Sequence, residues 1–136
     1  MNTFLKSLTY SMLLLSSLPF FAHAQVPVDA QGNYYRNETS VQAENNSSKL
    51  SPGSLWLVRV DGLNCRQLAS IDSPIVRVYA ADSLLEVEMY RGGSDEVLVN
   101  PLDYNGKPWM PVRGIRSEDV CFVRANSRYI QPLTPR

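Results

Sequence analysis

Glu86 and Glu88 stand two residues apart in Leu84-Leu85-Glu86-Val87-Glu88, a spacing that puts both carboxylates on one face of an extended strand. Two adjacent carboxylates are the minimum equipment for general acid–base chemistry, since each disfavours ionisation of the other. Glu118 with Asp119 is another close pair, and Asp82 with Glu86 and Glu88 is the oxygen-rich set that a hard cation would use. Alternating charge beside an apolar face is equally what a solvated strand surface presents. The single histidine, His23, falls in the leader segment described below. An exported chain therefore lacks the imidazole for a Ser-His-Asp triad, a Cys-His pair or a histidine metal site. The expectation is a protein without catalytic residues, metal or cofactor.

Recognition chemistry is better supplied. Trp109, Tyr79, Tyr90 and Tyr129 combine large apolar area with a hydrogen-bonding tip, and Arg124 and Arg128 offer planar donors for carboxylates. Aromatic residues on strands serve as core at least as often as they meet a ligand, so groove and core both stand open for them. Cys65 and Cys121 are an even pair, and in an oxidising compartment they join as a disulfide. Two buried free thiols, behaving as small apolar residues, are the alternative. Neither cysteine has a Cys-x-x-Cys partner or a histidine to lower its pKa, which argues against a catalytic thiol.

The elements that must position these residues begin with an export signal. Lys6 precedes an apolar run from Leu8 to Phe21, and Ala22-His23-Ala24 closes it in small-x-small form, the layout of a cleaved secretory leader over residues 1–24. Ser16, Ser17 and Pro19 interrupt the run, which is short for a membrane span of about 20 apolar residues. Cleavage removes Lys6 alone among the charges, so 12 basic side chains face 13 acidic ones in what remains. Near-neutrality gives nucleic acid no basic surface to bind. The expected location is periplasmic or extracellular.

Residues 25–51 are rich in Gln, Asn, Ser, Glu and Thr and poor in large aliphatics, the composition of a flexible polar linker. Tyr34 and Tyr35 are its aromatics, either mobile or docked on the domain, and Asn37-Glu38-Thr39 matches a glycosylation sequon. From Leu55 the texture changes to short apolar runs. Leu55 to Val60, Leu63 to Arg66, Ile75 to Tyr79, Leu85 to Met89, Glu96 to Val99, Trp109 to Arg113 and Asp119 to Arg124 read as extended segments, punctuated by Gly, Pro and polar turns such as Asp61-Gly62 and Asn105-Gly106. No long helical stripe intervenes. The pattern predicts an all-β domain over residues 52–136, built from five to six short strands.

Leu63-Asn64-Cys65-Arg66, Ser73-Pro74-Ile75-Val76, Leu84-Leu85-Glu86-Val87, Lys107-Pro108-Trp109-Met110-Pro111-Val112 and Cys121-Phe122-Val123 followed by Tyr129-Ile130 occur in an order that resembles the bacterial Src homology 3 domain. Cys65 stands at that family's valine and Cys121 near its glycine, the Ser-Gly-Pro after the first strand is missing, and Arg91 to Tyr104 is a longer acidic insertion. The resemblance implies a small closed β-barrel with a cysteine link between its first and last strands. It also implies a non-catalytic module of the cell envelope, binding peptidoglycan or a peptide in a shallow groove lined by Trp109, Tyr129, Tyr79 and Tyr90 with Arg124 and Arg128 as polar partners. A dedicated accessory subunit of another envelope protein is the competing expectation, motivated by the linker and the acidic insertion.

Overall fold

The computed structural model describes residues 26–44, 52–89, 98–114 and 119–135, so the leader over 1–24 and the candidate Tyr90 lie outside the described residues. Among the described residues seven strands carry the fold: β1 (Leu55–Val58), β2 (Leu63–Arg66), β3 (Ile75–Tyr79), β4 (Leu84–Glu86), β5 (Trp109–Arg113), β6 (Val120–Arg124) and β7 (Ile130–Pro132). All pairings are antiparallel. Strands β4-β1-β7 form a three-stranded sheet and β3-β2-β6-β5 a four-stranded one. Most of the strands are dense in β-branched, aromatic or leucine side chains that fit a half-buried pleated surface. Gly62, at φ +77°, gives the turn from β1 to β2 a left-handed conformation that glycine adopts without penalty.

The all-β class holds, whereas the closed barrel of five to six strands is corrected to two sheets of three and four strands. The reason lies in β1. Both its edges are taken, by β4 on one side and β7 on the other, so β1 and β2 follow each other in sequence without pairing. Among the described residues, the isolated bridge Val87–Val112 joins the end of β4 to β5. Strand β7 is also unforeseen. The chain turns at Ser127–Tyr129 and comes back so that Ile130 lies opposite Val58, fully buried.

One core takes side chains from both sheets: Trp56, Val58, Leu85 and Ile130 from the smaller, Leu63, Met110, Val112 and Val123 from the larger. Burying each stabilises by about 1.5–3 kcal/mol before conformational entropy is charged. Cys65 and Cys121 form a disulfide with Cα atoms 5.5 Å apart, joining neighbouring strands β2 and β6 inside this core.

The polar stretch expected as a flexible linker has a different character over 26–44, while 45–51 lie outside the described residues. Val26 and Tyr34 enter the core, and the Tyr34 ring meets Trp56 edge-on at 4.8 Å. Bridges Asn33–Asn126, Arg36–Val99 and Gln42–Ser54 pin the segment along the domain. Polar composition does not prevent this because most of its buried groups find partners, Asn37 Oδ1 being the exception among the described residues. Asn33 Oδ1 accepts from Asn126, the Thr39 amide donates to Ser54 Oγ, and Asn37 Nδ2 donates to Asn100 Oδ1 at 2.9 Å. Asn37 is the sequon asparagine, and at 1% exposure it offers a glycan no room in the folded domain.

Candidate binding groove

Side chains alternate between the two faces of a strand, and residues directly opposite across a ladder share a face. In the four-stranded sheet one face carries the core. The other carries Trp109 opposite Arg124, Pro111 opposite Phe122, Phe122 opposite Arg66, Arg66 opposite Ile75, and Asn64 opposite Val78. A groove of about 370 Å³ is formed by Trp109, Arg124, Arg66 and Asn64 of this outer face, with Arg128 and Tyr129 from the turn before β7. Val60, Asp61, Gly62, Leu63 and Ile71 complete its wall.

Four of the six binding residues named from sequence therefore meet at one place, although they come from two separate parts of the chain. Their roles differ. Trp109 is 2% exposed and forms floor, its indole Nε1 donating to Asp103 Oδ2 at 2.9 Å. The guanidinium of Arg124 lies 6.0 Å from the Trp109 ring, donating to the Pro108 carbonyl at 2.7 Å and to Asn33 Oδ1 at 3.0 Å. Burial lowers the Arg124 pKa from its ordinary value, against the opposing pull of Asp103. Tyr129 packs against the core while lining the groove. Arg128 is exposed, and among the described residues its guanidinium makes no hydrogen bond or ion pair.

Tyr79 takes another place. It faces the core side of β3, packs against the hydrophobic cluster, and its hydroxyl accepts from Arg77 Nε at 3.1 Å, so it does not line the groove. Arg66 is the cationic groove residue that sequence reasoning passed over. Its signal was the alternation of Leu63-Asn64-Cys65-Arg66, which sends Arg66 to the face opposite Cys65. Its Nη1 donates to the neutral carbonyl of Ser73 at 2.8 Å.

The carboxylate pair is engaged elsewhere. Arg113 Nη1 lies 2.7 Å from Glu86 Oε2, and Arg113 Nε lies 3.0 Å from Glu88 Oε2. Glu86 Oε2 also accepts the Gly53 amide at 2.8 Å, and Glu88 is buried. A cation and a backbone amide thus hold both acids in a structural cluster with Gly53. Among the described residues, no group of three or more His, Cys, Asp or Glu side chains is arranged to hold a metal ion.

No family model, curated protein or solved structure matches the chain. The resemblance to the bacterial Src homology 3 domain thus rests on the order of its sequence motifs.

Proposed function

We propose that this chain is a non-catalytic, exported binding module of the cell envelope, taking peptidoglycan or a peptide in the groove on the outer face of the four-stranded sheet. The observation that carries this reading is the convergence of Trp109, Tyr129, Arg124 and Arg128 on one open concavity. Its volume falls within the range of small-ligand sites, and its mix of apolar wall and a few convergent polar groups is the usual composition of such sites. Export is supported by the leader-like first 24 residues and by a disulfide, which persists in oxidising compartments. A second reading, docking on another envelope protein, is favoured by the apolar surface that continues beyond the groove.

Cosedimentation of residues 25–136 with purified peptidoglycan over a salt series tests the first reading. Retention at moderate salt, reduced by Arg128→Ala with no change in melting temperature, is the expected result. A protein that stays in the supernatant at every salt concentration excludes wall binding and leaves the protein-docking reading to be examined.

A further inference from the structure

The groove is one end of a larger uncovered surface. On the β5 side the outer face is closed, since Trp109 and Pro111 are both buried. On the β2–β3 side it is open. Ile75, opposite Arg66, is 48% exposed, and Val78, opposite the groove residue Asn64, is 61% exposed. Ile71, which belongs to the groove wall itself, is 59% exposed. Large aliphatic side chains next to one another on an open sheet face mark an interaction surface more often than isolated ones do. Strand β3 is also the end strand of its sheet, with β2 its sole ladder partner among the described residues.

Charge selects the occupant. Arg66, Arg124 and Arg128 stand around the groove, where Asp61 is the one acid in the lining and Asp103, bonded to the Trp109 indole, offsets Arg124. Both ion pairs among the described residues belong to Arg113, which lies outside the groove lining. The bonds made by Arg66 and Arg124 go to neutral oxygens, and Arg128 makes none. A protein whose acidic and basic side chains balance overall thus places Arg66 and Arg128, neither in contact with a carboxylate, beside exposed aliphatic surface. A second copy of the chain would bring the same cations face to face, which complementarity disfavours.

Resting on the groove reading above, we infer that the ligand is an extended acidic segment of a partner protein. Its carboxylates meet Arg66 and Arg128 in the groove, and its alternate apolar side chains cover Ile71, Ile75 and Val78. An extended chain suits this surface because Val78 and Ile75 lie opposite Asn64 and Arg66, two residues apart on β2, the irregular pairing between Cys65 and Arg66 taking up the extra β3 residue.

The test uses residues 25–136, isotope-labelled, and three probes: a capped heptapeptide alternating leucine and glutamate, its leucine–lysine counterpart, and soluble peptidoglycan fragments. The acidic peptide is expected to bind at least about tenfold more tightly than the basic one. Chemical-shift changes should run from Arg66 and Arg128 to Ile75 and Val78, and affinity should fall as salt rises. Arg128→Glu should cost about tenfold or more for the acidic peptide, and Val78→Ser about threefold, with melting temperatures unchanged in both. Shifts confined to the groove, with Ile75 and Val78 silent, overturn the extended face but keep the groove. Binding of wall fragments without binding of the acidic peptide overturns the ligand class and leaves the groove reading intact. A concentration-dependent dimer that broadens Ile75 and Val78 overturns it in favour of a second copy. If none of the probes perturbs the groove and no dimer forms, this inference and the groove reading fail together.

Discussion

Asp29 and Asp103 hold their carboxyl groups below the ordinary range, and the causes differ. For Asp29 the amide of Asn33 is the largest influence, helped by the Asn33 side chain and the Gln31 amide against a desolvation penalty. For Asp103 desolvation is the largest single influence and pushes upward, but the Trp109 indole, the amides of Lys107 and Asn105 and the charge of Arg124 together outweigh it. A carboxyl depressed in the folded state contributes stability that is fully present above the unfolded value of about 4 and is lost as the pH falls through the folded value. The urea midpoint should therefore hold steady from pH 7 to about 5 and decline below about 4. An Asp29→Asn, Asp103→Asn double variant should show a shallower acid decline, and an unchanged slope would assign that decline to other carboxylates. At this scale much was legible, since Trp109, Arg124, Arg128 and Tyr129 declared themselves by type. Their engagement did not. Nothing local in Glu86 and Glu88 announces that Arg113, 25 residues beyond Glu88, will clamp both. Nothing around Gly53 announces that a Cβ there would lie 2.0 Å from the carbonyl oxygen of Val87.

Elements were legible where the chain's own pattern suffices and hidden where a distant partner makes them. The β-branched run at β3 is extended by local preference. The segment 26–44 reads as a linker because its composition is polar. What orders it is remote: the Tyr34 amide donates to Ala125 O at 2.9 Å, the Ser127 amide to Gly32 O at 2.7 Å, and Trp56 Nε1 to Asn37 O at 3.1 Å. Strand β7 is hidden for the same reason, since three residues acquire strand character only from β1 beside them. If 26–44 belong to the cooperative unit, Tyr34→Ala removes a buried ring stacked edge-on against Trp56 and should cost about 3 kcal/mol in urea denaturation. Tyr35→Ala, at an exposed neighbour, should stay within about 0.5 kcal/mol of the parent. Equal and negligible effects from the two substitutions would return the segment to the status of a loosely laid linker.

At the scale of the whole molecule, the sparsest ladder of the larger sheet among the described residues runs between β2 and β6. The β5–β6 ladder registers five residue pairs, whereas β2 and β6 register only Arg66 with Phe122. The disulfide sits at this seam, so it reinforces the larger sheet from within and does not fasten one sheet to the other. The groove straddles the same seam, taking Asn64 and Arg66 from β2 and Arg124 from β6. Closing a loop with a sequence separation of 56 contributes about 4 kcal/mol by the loop-entropy model, a large share of the 5–15 kcal/mol typical of a whole domain. A Cys65→Ala, Cys121→Ala double variant should lose stability of about that size in chemical denaturation. Amide exchange in this variant should accelerate more at the β2–β6 seam than along β5–β6, because local opening follows the sparsest pairing. Groove binding should weaken together with seam protection, since the two walls of the groove would no longer hold a fixed spacing. A loss below about 1 kcal/mol with uniform exchange would mean that the core alone holds the seam and that the disulfide adds little to the spacing of the walls.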